Sequence, residues 1–181
     1  MRKALAAALV VASLSALSPP ASATHQNVRD GQDTRGKLDL RRVEMKRGTP
    51  RKWVIKTHEA YRANRIFDKG YLLVYFDTFG TERADYYVLL QPTRSKIKGF
   101  LWKDRKPGND DTRLAGTRVR RANKRSITTS APFRKMRTPG LTYRWHVRTI
   151  YTGKNCKRVC IDKAPDNRWI TEPYVQPPST S

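Results

Sequence analysis
From Thr112 to Cys160 the chain has no aspartate or glutamate, while fourteen lysines and arginines fall in the same stretch. A field of one sign repels itself on folding and concentrates anions around it, so an anionic partner is the reading that accounts for its cost. Metal and thiol chemistry are also short of ligands. Three histidines (His25, His58, His146) and two cysteines (Cys156, Cys160) do not make a structural zinc site, and the cysteines lack Cys-x-x-Cys spacing, which excludes a dithiol redox motif. No apolar pattern of period 3.6 persists over three turns of the chain past its start, which argues against a helical domain. Only one long apolar run exists, Ala4 to Leu17. Its fourteen residues would span about 21 Å as a helix against a hydrocarbon core of about 30 Å, too short for an anchor.

That run reads instead as an export signal. Met1, Arg2 and Lys3 precede it, Pro19 and Pro20 break it, and Ala21, Ser22 and Ala23 supply the small residues that signal peptidase needs. Residues 1–23 are therefore expected to be a signal peptide cleaved before Thr24, leaving a secreted protein, extracellular or associated with the cell envelope. In that oxidising setting Cys156 and Cys160, beside the turn residues Gly153 and Asn155, are expected to form an intramolecular disulfide. No later segment approaches the length of a membrane span, so no integral membrane segment is expected after cleavage.

The rest of the chain is written in period two. Residues 24–36 are polar and read as a flexible entry segment. Leu38, Leu40, Val43 and Met45 alternate with one slip at Arg41 and Arg42, the pattern of a bulged strand, and Trp53, Ile55 and Thr57 give a second. Leu72 to Asp77 and Ala84 to Leu90 read as a central hairpin, Ile97 to Trp102 as another strand, and Ala115 to Arg120 with Ile127 to Thr129 as half-exposed strands. The clearest is Leu141 to Tyr151, with Leu141, Tyr143, Trp145, Val147 and Tyr151 on one face and Arg144, His146 and Arg148 on the other. Ala60 to Phe67 is the one candidate for a short helical turn. The expectation is an all-β fold: a single antiparallel β-sandwich or jelly-roll-like domain of about eight strands over 37–166, with an irregular tail at 167–181.

Catalytic motifs fail at specific positions. His58 and Glu59 begin a metalloprotease pattern, but Arg62 stands where the second imidazole must be. No serine sits in a nucleophile elbow and no glycines cradle a phosphate, so no enzyme and no cofactor are expected; spacing alone leaves open a carboxylate pair assembled by folding. Asp77, Glu82 and Asp85 flank a hairpin loop, yet three carboxylates are too few for a calcium shell and no metal site is expected there. Binding remains. Strand alternation places Arg118 with Arg120, and Arg144, His146 and Arg148, in outward rows able to follow a chain of anionic groups. A cell-wall polymer, an acidic lipid surface, nucleic acid or an acidic protein all fit such rows. Tyr86, Tyr87 and Tyr174 are candidates for stacking on bases. Of the four tryptophans, Trp53 and Trp145 lie on apolar strand faces and belong to the core, whereas Trp102 and Trp169 are open to stack on a sugar, which gives a carbohydrate-binding module as the alternative.

At Gly36–Val43 (GKLDLRRV), Lys56–His58 (KTH), Asp77–Gly80 (DTFG), Ala84–Tyr86 (ADY), Tyr143–Trp145 (YRW) and Cys160–Pro165 (CIDKAP) the chain resembles small secreted β-rich proteins of actinobacteria. The resemblance covers most of the chain after residue 23. It implies a secreted β-rich domain and a closing disulfide at the positions of Cys156 and Cys160, and it lends no catalytic residue. Members of that group are more acidic in the loop that here runs from Asp77 to Asp85.

Overall fold
The period-two segments pair into twelve strands, about half as many again as the eight expected. The computed structural model describes residues 25–61, 70–93, 96–105 and 109–174. The expected signal peptide, all but the first two residues of the helical turn at Ala60–Phe67 and the last seven residues of the tail lie outside them. The strands are β1 (Gln26–Arg29), β2 (Leu40–Lys46), β3 (Lys52–Thr57), β4 (Gly70–Asp77), β5 (Tyr86–Pro92), β6 (Ile97–Lys103), β7 (Thr112–Thr117), β8 (Val119–Asn123), β9 (Ser126–Ser130), β10 (Thr142–Tyr151), β11 (Cys160–Ala164) and β12 (Ile170–Pro173). They form an antiparallel β-sandwich, with five strands ordered β1-β2-β3-β9-β8 facing seven in which β11-β10-β4-β5-β6-β7 run side by side and β12 pairs with β10. No helix of the described residues is long and apolar enough to cross a membrane.

Inward residues of both sheets meet in one core. Met45, Trp53, Ile55 and Ile127 come from the five-stranded sheet, and Leu72, Val74, Phe76, Val88, Leu101, Trp145 and Val147 from the seven-stranded one. Trp53 crosses the interface, its ring 5.1 Å from Phe76 and 6.2 Å from Trp145, both edge-on. Edge-on contacts set a positive ring edge against a negative face and favour one fixed packing. The bulge read at Arg41 and Arg42 is present as a register shift between Leu40 and Arg42.

Four differences from the sequence reading have physical causes. The segment from Ala115 to Arg120 is two strands in different sheets, because the chain crosses between layers at Arg118. Gly99 permits that crossing, since a side chain there would run into Thr117 and lie 2.8 Å from Val119 Cγ2. The entry segment contributes β1, held at an edge by pairing with β2 and by Arg42 Nε donating to Asn27 Oδ1 at 2.7 Å. The tail contributes β12. It pairs with β10, and the β2–β3 connection holds it as well: Arg47 pairs with the fully buried Glu172 at 2.9 Å, and Arg51 donates to the Pro173 carbonyl at 2.9 Å. Finally, Leu141 is 86% exposed: β10 begins one residue later, and the Leu141 carbonyl accepts the Tyr174 N–H.

Cys156 and Cys160 form the disulfide, closing a small loop between β10 and β11. Chain-entropy reasoning for so short a ring gives about 2 kcal/mol. The double variant Cys156→Ser with Cys160→Ser should unfold at lower denaturant by that amount and keep its far-ultraviolet β signal; loss of the β signal would mean that the bridge holds the sandwich itself.

Candidate functional site
With Trp53 facing inward, Lys52, Val54 and Lys56 must face outward, and their neighbours on the other strands follow. Three transverse rows result on the outer face of the five-stranded sheet. Lys46, Lys52 and Ser130 form the first, with Arg118 beside Ser130 through the Ser130 N–H to Arg118 carbonyl bond. Glu44, Val54, Thr128 and Arg120 form the second, and Arg42, Lys56, Ser126 and Asn123 the third. Glu44 is the one carboxylate in these rows and lies 3.6 Å from Lys46 Nζ and 3.9 Å from an Arg42 nitrogen. Lys52, Arg118 and Arg120 have no ion-pair partner among the described residues and keep their charge available. Beside the third row is a cavity of about 570 Å³ lined by Arg41, Lys56, Lys124 and Arg125 together with Thr57, Ala60, Asn123 and Ser126. Among the described residues no carboxylate lines it.

The expected anion-binding set does not come together as one surface. Arg118 and Arg120 are exposed on the five-stranded sheet, while Arg144, His146 and Arg148 lie on β10, on the outer face of the other layer. The β10 row also has little free charge. Arg144 Nε is 3.1 Å from Asp77 Oδ2 and its Nη1 is 3.1 Å from Glu82 Oε1. His146 is only 9% exposed, its Nδ1 has no hydrogen-bond partner, and burial, with Lys163 and Arg148 adding to it, pushes its pKa down to about 3. It is uncharged at neutral pH and cannot serve as a cation. Arg148 lies beside Tyr75.

The loop from Asp77 to Asp85 folds on itself. Asp77 accepts the N–H groups of Gly80, Thr81 and Glu82 at 2.7, 3.1 and 2.9 Å, and Asp85 Oδ2 accepts those of Thr78 and Phe79 at 2.7 and 3.2 Å. Gly80 supports this turn with φ +76°, a conformation that costs residues with a side chain. Bases have no stacking set among the three tyrosines: Tyr86 is buried and accepts the Arg137 N–H, Tyr174 packs on Phe133, and Tyr87 alone lies on an outer face.

Sequence spacing did not reveal a group of four carboxylates. Asp30, Asp33, Asp162 and Asp166 bring an oxygen each within 4.8 Å of one another. β11 and its exit loop deliver two of them, and the connection from β1 to β2 delivers the others, with Leu40 N–H donating to Asp162 Oδ2 across the gap. The signal was present as segregation: acids leave 112–160 and reappear on both sides of it, at Asp30, Asp33 and Asp39 and at Asp162 and Asp166. Burial, then Asp162 and Asp166, pushes the Asp30 carboxyl up to about 7, and burial raises Asp162 to about 6. Asp30 Oδ2 is buried without a hydrogen-bond partner. These are oxygens of the hard kind that calcium takes, although it needs six to eight of them.

Both groups are ordinary acids near pH 4 when unfolded and hold their protons to higher pH when folded. The folded state then binds more protons over that window, so their contribution to stability is full below about pH 4 and is lost as pH rises through about 6 to 7. Thermal unfolding should show Asp30→Asn matching wild type at about pH 4 and exceeding it at about pH 8; parallel curves would show that Asp30 carries no such strain. No known protein family, curated protein or solved structure matches the chain, so the functional reading rests on this geometry.

Proposed function
We propose that this is a secreted protein that acts by binding rather than by catalysis, and that it holds an anionic polymer of the extracellular space or cell envelope on the outer face of the five-stranded sheet. The observation that carries the reading is the pattern of that face: Arg42, Lys46, Lys52, Lys56, Arg118 and Arg120 against the single carboxylate of Glu44. Neighbouring strands are about 4.8 Å apart and outward residues of one strand about 6.8 Å apart, so cations recur at intervals suited to an extended chain of phosphate or carboxylate groups. The formal net charge of +23 adds long-range attraction, and the cavity between Lys56 and Arg125 gives the polymer a concave end point.

Binding of inorganic polyphosphate tests this. Affinity should fall log-linearly with salt, the slope reporting the number of phosphates neutralised. Replacing Lys46, Lys52, Arg118 and Arg120 together by Gln should weaken binding and flatten the slope, whereas Arg113, Arg144, Arg148 and Lys163 replaced by Gln remove equal charge from the other layer and should change it little. Equal losses in the two variants would mean diffuse attraction without a site, and no binding by wild type at low salt would remove the reading.

A further inference from the structure
The outward face of the seven-stranded sheet carries chemistry of a different kind. His146, Tyr75, Tyr87 and Trp102 are register partners on β10, β4, β5 and β6, so four rings stand in one transverse row. Three strand spacings make that row about 14 Å long. Ring centroids are 5.0 Å apart from His146 to Tyr75, 5.7 Å from Tyr75 to Tyr87 and 6.4 Å from Tyr87 to Trp102, the last two rings lying within 6° of parallel. Trp169, from the connection between β11 and β12, lengthens the row with its centroid 4.2 Å from that of His146. Tyr75, Tyr87, Trp102 and Trp169 each remain partly in solvent, whereas Trp53, Trp145 and Phe76 of the core are fully buried. In a chain with mean hydropathy −0.75, a contiguous aromatic row on a solvent face marks a contact surface.

We propose that this row is a platform for the neutral sugar units of a glycan chain. The occupant follows from charge at the rim. Arg148 lies beside Tyr75, and Tyr87 donates its hydroxyl to Asp111 Oδ2 at 2.8 Å, with Asp104 close to the same aspartate. Arg113 covers Phe100 at 3.6 Å on the flank. A rim with guanidinium at one end and carboxylates at the other matches hydroxyl groups, which both donate and accept, while the apolar C–H faces of sugar rings match the aromatic faces. The uncharged His146 keeps the row itself neutral. A polyphosphate would meet Asp104 and Asp111, and a second copy of a chain with net charge +23 would meet its own repulsion. This surface is independent of the anion-binding face on the other layer.

The experiment is titration of the full-length secreted protein, at high salt, with a panel of neutral oligosaccharides of α- and β-linked hexoses and N-acetylhexosamines, read by calorimetry and tryptophan fluorescence. At least one should bind, quench the fluorescence and keep its affinity as salt rises. Trp169→Ala, a change in a connection rather than in a strand, should weaken that sugar about tenfold, as should Trp102→Ala, and Tyr87→Phe, which keeps the ring, should lose far less. Melting curves identify any variant that fails to fold, and Trp169→Ala then decides. Lys52→Gln with Arg118→Gln should leave sugar binding unchanged. No binding anywhere in the panel, unchanged affinity in Trp169→Ala, or loss in the Lys52 and Arg118 variant would overturn the proposal. So would a concentration-dependent dimer in sedimentation that Trp169→Ala and Trp102→Ala dissolve, since a second copy would then cover the row.

Discussion
Trp53 lies fully buried between the layers, against Phe76 and Trp145, and the outward chemistry of both sheets depends on how that contact sets parity. A strand has period two, so turning Trp53 inward turns Lys52 and Lys56 outward, and turning Trp145 inward does the same for Arg144, His146 and Arg148. Slipping either strand by one residue would bury lysine and expose indole, at a cost no surface interaction offsets. Phe133, from the short turn between β9 and β10, closes the contact by stacking on Trp53 at 6.2 Å and meeting Tyr143 edge-on at 4.8 Å. The core thus specifies its own packing and, through it, two outer faces of unlike character.

Charge is sorted along with apolarity. Lysine and arginine collect on the five-stranded face, the aromatic row lies on the seven-stranded face, and four aspartates meet where the start of the sandwich touches β11. On β10 the cation Arg144 is neutralised by a neighbouring element: the Asp77 loop folds so that Asp77 takes backbone N–H groups on both oxygens, and its Oδ2 pairs with Arg144 as well. Such sorting lets a chain with 38 lysines and arginines against 15 acids avoid spreading its repulsion evenly over the surface.

Much of the sandwich was legible because alternation is a local property. The bulge in β2, the hairpin of β4 and β5 and the inward faces of β3 and β10 follow from residues two apart. What escaped was non-local. β12 reads as a proline-bearing polar tail, and its partners are distant in sequence: β10 alongside it, and Arg47 and Arg51 more than a hundred positions earlier. The division of Arg118 and Arg120 from Arg144 and Arg148 depends on which sheet each strand joins, and alternation carries no information on that. Outward orientation was also mistaken for exposure at His146, which does face away from the core but is covered by Tyr75 and Trp169. Likewise, spacing distinguished the inward tryptophans from Trp102 without showing that register would align it with Tyr87, Tyr75 and His146.

The central claim is that the two outer faces bind different things. Backbone amide shifts of isotopically labelled protein, followed while inorganic polyphosphate is added at low salt, test it residue by residue. Shifts confined to the neighbourhood of Lys46, Lys52, Lys56, Arg118 and Arg120, with those of Tyr75, Tyr87, Trp102 and His146 unmoved, are the predicted result. Shifts centred on β10 around Arg144 to Arg148, or spread evenly over both sheets, would contradict it.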